Sequence, residues 1–559
     1  MKRLKEDISF FLQNKIYVVL LVLTAVCCYG YKLMHVTVGI DDTCYDYYFS
    51  DGLIVVVGRW VLFLLNRFLN IGQLAPFLTD FAAVLLMLVA AVLWSVVCKR
   101  LFKDALPAWC YLVFSCLFIS NPLICEVFTY FLHNGIAIGY TCSALGVLFF
   151  MEGLKTGAQK DTSVPVWKRF LPFGGAAVFV WIAIGCYESF AVVFLVMAML
   201  VLLVGRLTGE KSHPVFSVLW IGAVLVVAIL LRGIMTNLMI AVFSLESLQD
   251  EASKRSVMEM VSWITDPQGR GALIMAIKRA FVMYGVFGYH YLPIFMYVLA
   301  CVCFAAYSLW RSVKGRDFWI FLYMIGTFVA SWLLIFIEGS VTLYRSCQFL
   351  PLFSAFVFVI MFYGLRKCWC APAGYVKRAA AGICVCLSFV AIWNQAADMN
   401  NWFYIDHQKY EHAKETMNGI ATELETRYDT SKPLIFIGNY EIPMEIVQDA
   451  YVPIGSETYQ KMERVLNLID PQLLAKFYRR GQVEVATTPA LSVIQWGLGA
   501  FDGNLELIKF MEMHGHTFKG VDHWAPIGEA CVQYKDMPGW PREGSIVETE
   551  DYIIISFGY

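Results

Sequence analysis

Four acidic side chains crowd one short stretch of this chain. It reads Gly39-Ile40-Asp41-Asp42-Thr43-Cys44-Tyr45-Asp46-Tyr47-Tyr48, with Asp51 just beyond. Neighbouring carboxylates such as Asp41 and Asp42 can take a proton from an attacking hydroxyl or hold a cation. An ionised pair is costly to bury in hydrocarbon, so this stretch must meet water. It follows directly on the first long apolar run, which places it at the mouth of a membrane span.

The elements that would position it are membrane helices. Of 559 residues, 59% are hydrophobic and only 16% charged, far too apolar a balance for an ordinary soluble protein. Apolar runs at about 16–37, 77–98, 105–120, 134–151, 170–187, 189–205, 215–231, 290–310, 318–337, 348–365 and 374–395 predict eleven spans. Basic residues collect at alternate ends: Lys2, Arg3 and Lys5; Lys99, Arg100 and Lys103; Lys155, Lys160, Lys168 and Arg169; Arg206 and Lys211; Arg311, Lys314 and Arg316; Arg366, Lys367, Lys377 and Arg378. The positive-inside rule then sets the N-terminus inside and, for eleven spans, the tail outside. Residues 53–70 resemble a further span, but their apolar stretches are short. Arg59, Asn66 and Asn70 share one helical stripe, so a helix lying flat in the outer interface is expected there.

After residue 397 the chain turns polar. Strand-like 433–438 and 554–557 alternate with helical stretches at 407–426, 456–480 and 503–515, enough for a core of its own. The expected organisation is a transmembrane domain, 1–397, and a soluble extracytoplasmic α/β domain, 398–559.

On that topology the remaining polar candidates fall on the same outer face as Asp41 and Asp42. They are Arg59; Glu126 and His133; Tyr187-Glu188-Ser189 in a tight turn; Arg232; and Glu338 to Arg345. A transporter or flippase is the alternative, but its sites sit near the midplane on broken helices. Clean span centres and one charged mouth favour chemistry at the surface. A sugar hydroxyl needs a positioned base, which Asp41 or Asp42 supplies. A leaving phosphate needs cationic donors, for which Arg59, Arg232 and Arg345 are candidates. Glu126, Tyr187 and Glu188 could orient sugar hydroxyls. No Walker loop or dinucleotide fingerprint occurs, and an outward site lacks cytosolic nucleotide sugars, so the activated donor would arrive in the lipid phase.

The run from Gly39 to Tyr48, then Ser50-Asp51-Gly52 and Gly58-Arg59-Trp60, resembles the opening of the bacterial glucosyltransferase II family, which includes the O-antigen-modifying glucosyltransferases. Tyr187-Glu188 is similar to the family's Tyr-Gln/Glu turn, and Tyr344-Arg345 to its late outer-face arginine. The resemblance implies a GT-C architecture in the bacterial cytoplasmic membrane, an aspartate base in the first outer loop and a polyprenyl-phosphate sugar as donor. The expected reaction moves a hexose, glucose by that resemblance, to a hydroxyl of a surface glycan. No cofactor is required, although a divalent cation at Asp41 and Asp42 is compatible with the chemistry; no nucleic acid is expected as partner. Cys368-Trp-Cys370 lacks the second pair a zinc site needs, and His514, His516 and His523 match no standard metal spacing.

Overall fold

Hydropathy places helices, and helices are what the chain forms. The computed structural model describes residues 2–37, 52–69, 75–158, 165–210, 213–245, 291–338, 346–365, 375–438, 451–453, 460, 464, 478–479, 482–484, 504–521 and 523–558. In chain order the helices begin with α1 (Lys2–Leu12), α2 (Lys15–Met34), α3 (Leu53–Val56), α4 (Trp60–Leu64), α5 (Pro76–Phe102) and α6 (Ala108–Ile119). Next come α7 (Cys125–Phe128), α8 (Ala137–Ala158), α9 (Val166–Cys186), α10 (Phe190–Leu207) and α11 (Pro214–Phe243). They continue with α12 (Tyr291–Gly315), α13 (Phe318–Ser331), α14 (Leu333–Glu338), α15 (Phe349–Gly364) and α16 (Tyr375–Arg427).

A helix occupies each of the eleven stretches expected to span. Among the described residues seven are long and apolar enough to cross a membrane: Lys15–Met34, Pro76–Phe102, Asn134–Gly157, Trp167–Cys186, Phe190–Leu207, Pro214–Phe243 and Gly382–Arg427. Four more, Trp60–Leu69, Ala108–Ile119, Phe318–Ser331 and Phe349–Gly364, are apolar but shorter. At ~1.5 Å per residue, the 12 residues of α6 reach only about 18 Å of a hydrocarbon layer of about 30 Å. Residues 53–69 form no continuous helix: α3 and α4 are separated at Gly58 and Arg59, and a π turn follows at Leu65–Leu69.

Local chemistry fixes the ends. The Asn14 side chain accepts from the Tyr17 N–H at 3.2 Å and caps α2. Proline opens α5 and α11, where its missing N–H costs nothing. Inside the bundle, α2, α5 and α6 meet through hydroxyls: Tyr17 and Ser115 lie 2.7 Å apart, and Ser95 and Ser115 2.6 Å. Such bonds suit a hydrocarbon interior, where the apolar effect alone does not join helices. Helices α8 and α9 approach closely because Gly153 has no side chain; a Cβ there would stand 2.8 Å from the Phe173 ring. At the bundle end expected inside, Asp7 of α1 binds Lys99 at 3.0 Å and Arg100 at 2.8 Å, and Arg206 pairs with Asp317 at 3.4 Å.

Helix α16 runs 53 residues without a break, through residue 397, so at about 80 Å it outreaches any bilayer. Its far half carries an apolar stripe, Ala413, Met417, Ile420, Ala421 and Leu424, at helical spacing. That stripe packs on β1 (Leu434–Ile437) and β6 (Ile553–Ser556), which pair in parallel, with β5 (Ile546–Glu548) antiparallel on the other side of β6. Both expected strands are thus present within a residue. Helix α17 (Asn504–Met513) closes the core, and the Asn504 side chain bonds the backbone of Leu434 and Phe436. A second small sheet joins β2 (Tyr451–Pro453), β4 (Gln482–Glu484) and β3 (Tyr478–Arg479).

Candidate functional site

The tight turn between α9 and α10 brings three expected residues together. At its start Tyr187 takes an extended backbone and its N–H bonds Ala183. Glu188 turns outward, with 45% of its side chain exposed. The Arg59 guanidinium meets it as a fork, Nη2 at 3.2 Å from Oε1 and Nε at 3.4 Å from Oε2. The same guanidinium lies 4.1 Å over the Tyr187 ring, a cation–π contact that fixes its plane. Desolvation by the surrounding protein raises the Glu188 carboxyl's pKa, but the charge and hydrogen bonds of Arg59 outweigh it and hold the group below its ordinary value.

Arg232, from the middle of α11, reaches the same segment. It donates from Nη2 to the Val57 carbonyl at 2.8 Å and from Nε to that of Gly58 at 3.3 Å. Gly58 has φ +88, and a Cβ on it would collide with the Arg232 guanidinium. A glycine is therefore required where Arg232 crosses the break between α3 and α4. Next to it, the Trp60 ring lies 5.0 Å from that of Trp181 of α9, tilted by 33°. Arg59 is thus set by backbone, ring and carboxylate, and Arg232 acts first as a clamp on its support. Ser189 continues the turn inward, donating to the side-chain oxygen of Gln348 at 2.9 Å, while the backbone carbonyl of Gln348 accepts from Tyr140.

Glu126 lies on the short helix α7 and His133 opens the 3-10 turn His133–Ile136. Asp41 and Asp42, and likewise Tyr344 and Arg345, lie outside the described residues. Cys368 and Cys370 do too. His514 bonds Tyr410 at 3.0 Å, and His516 lies between Glu425 and Asn418 at 3.1 and 3.2 Å. Both serve the packing of α16 against α17. Among the described residues no group of three or more His, Cys, Asp or Glu could hold a metal ion.

A second polar group was absent from the sequence reading. At the same end of the bundle, Lys32 donates to Thr37 at 3.0 Å and pairs with Asp80 at 3.8 Å. Asn134 donates to Asp80, and Asp406 of α16 stands beside Thr37, Lys32 and Lys409. Lys32, Asp80, Asp406 and Lys409 are each 3% exposed. The signal was there: a lysine and an aspartate inside apolar spans are functional candidates by default.

No curated protein and no solved structure matches the chain. A family model for glucosyl transferase GtrII matches residues 30–362, more than half of the chain, from the end of α2 through α15. The matched span takes in the acidic stretch, Arg59, the Tyr187-Glu188 turn and Arg232. The chain is a membrane protein of helical build that belongs to the glucosyl transferase GtrII family.

Proposed function

We propose that the protein moves glucose from a polyprenyl-phosphate carrier to a hydroxyl of a surface glycan on the outer face of the bacterial cytoplasmic membrane. In this reading the N-terminus is inside, and the chain from 398 onward is an outer domain on a GT-C-like core. The observation that carries it is the meeting of Arg59, Tyr187, Glu188 and Arg232, drawn from three distant segments within the family match. Asp41 or Asp42 takes the proton of the acceptor hydroxyl as its oxygen bonds the anomeric carbon. The bond from that carbon to the phosphate oxygen breaks, and polyprenyl phosphate leaves with the electron pair. Arg59 and Arg345 offset its charge, with Tyr344 beside the latter. Glu188, Tyr187 and Glu126 orient sugar hydroxyls. A divalent cation at Asp41 and Asp42 fits this chemistry without being required by it, since arginines can meet the phosphate.

Purified protein given polyprenyl-phosphate [14C]glucose and isolated surface glycan should release polyprenyl phosphate and label the glycan. Movement of the donor across vesicles with no label on the glycan would contradict this and favour a flippase.

A further inference from the structure

We propose that Lys32, Thr37, Asp80 and Asp406 are positioning residues for transfer, forming a buried lock between the mouth of α2 and the long helix α16. The inference rests on the function proposed above. Four elements converge: the last turn of α2 with the segment after it, the first turns of α5, the 3-10 turn that precedes α8, and α16. Between them is the Thr37 hydroxyl, 2% exposed for its residue, which accepts from Lys32 and stands beside Asp406, while the His35 ring lies 4.7 Å from that of His407 on α16. A hydroxyl that accepts from Lys32 keeps its own proton to offer to the Asp406 carboxylate.

Lys32 and Lys409 balance Asp80 and Asp406, so the cluster is neutral and can persist away from water. Its contribution is not chiefly stability. A buried ion pair is commonly no more stabilising than an apolar pair of the same size, whereas its geometry is specific. Geometry is what this location needs. Asp41 follows Thr37 by four residues, at most about 14 Å of chain. The point from which the proposed base departs is therefore tied to α5 and to the helix that packs on the β1–β6–β5 sheet. A shift of about 1 Å in a reacting group can cost about 10²-fold in rate.

The test compares Thr37→Val, which keeps the branched shape without the hydroxyl, with Thr37→Ser, which restores the hydroxyl. With polyprenyl-phosphate [14C]glucose and the isolated surface glycan, Thr37→Val should lower kcat by about 10- to 100-fold and leave the donor KM within about twofold. Thr37→Ser should restore kcat. In a second measurement, without substrate, hydrogen exchange in Thr37→Val should quicken together in peptides covering 32–37 and 399–410, and stay unchanged over 553–556. If Thr37→Val does not reach the membrane, Asp406→Asn replaces it with the same expected signature. Wild-type kcat in Thr37→Val, or equal losses in the Val and Ser variants, would overturn the positioning role. A wild-type protein inert toward the donor would fail the proposed function instead. In that case exchange that quickens in only one of the two peptides overturns the lock.

Discussion

Arg59 meets a carboxylate and an aromatic face at once, and the two contacts separate the effects of different substitutions. Arg59→Lys keeps the charge but loses the fork toward Glu188 and the flat stacking on Tyr187; Arg59→Ala loses all three. If Arg59 meets the donor phosphate, Arg59→Ala should raise the donor KM by about tenfold or more, the scale of one charged hydrogen bond, and Arg59→Lys by less. Donor titrations of both variants check the order. Gly58→Ala forces a side chain into φ +88 and into Arg232, and should destabilise by about 1–3 kcal/mol. Thermal unfolding in detergent measures this. Arg59, Tyr187, Glu188 and Arg232 could be picked from sequence because each stands at a short turn or breaks an apolar pattern. Their contact could not, since it joins segments more than a hundred residues apart. Lys32 and Asp80 escaped notice because a single charge inside a long apolar run barely moves its hydropathy, and Asp406 because it stands in a stretch already polar; their partners appear only in the fold.

At the scale of elements, α1 is docked by one acid. Burial raises the Asp7 carboxyl's pKa, but the bonds and charges of Arg100 and Lys99 outweigh it and hold the pKa below its ordinary value. A lowered pKa in the folded state means that this docking stabilises above the unfolded value of about 3.9 and fades as pH falls through the folded one. Asp7→Asn should therefore lower the Tm at neutral pH, and the gap to wild type should close below about pH 4. Scans of both proteins across pH check the sign. The break at Gly58 and the short α3 and α4 suit a segment that stays on one face. Ser50→Cys and Gly72→Cys should react with the same impermeant reagent on intact cells; opposite reactivity would make 53–70 a span. Helix positions were readable from hydropathy because each apolar run has helical length. The interruption at Gly58 was not, because it depends on an arginine arriving from α11. Nor was the continuity of α16, whose apolar and polar halves read as separate helices.

For the whole molecule, basic side chains at one end of the bundle and acids with arginines at the other give the chain its expected direction. Val532, 75% exposed on α18 (Trp524–Gln533), offers a handle on the tail. Val532→Cys should be labelled by an impermeant maleimide on intact cells, whereas protection would put the tail and the acids in the cytosol. The family, the helical membrane build and the strands at 434–437 and 553–556 were all foreshadowed by the sequence, the strands because apolar runs between turn residues have few other folds. How α16 binds those strands to the bundle was not foreshadowed, because the apolar stripe from Ala413 to Leu424 has meaning only against a sheet built from the far end of the chain. The central claim is a lipid-linked glucosyl transfer with its base at Asp41 or Asp42. Transfer per folded molecule in Asp41→Asn, Asp42→Asn and the double variant tests it most directly. Loss of the base should reduce transfer by about 10²–10⁴-fold, with folding and donor binding intact. Near-normal turnover in the double variant would contradict the account.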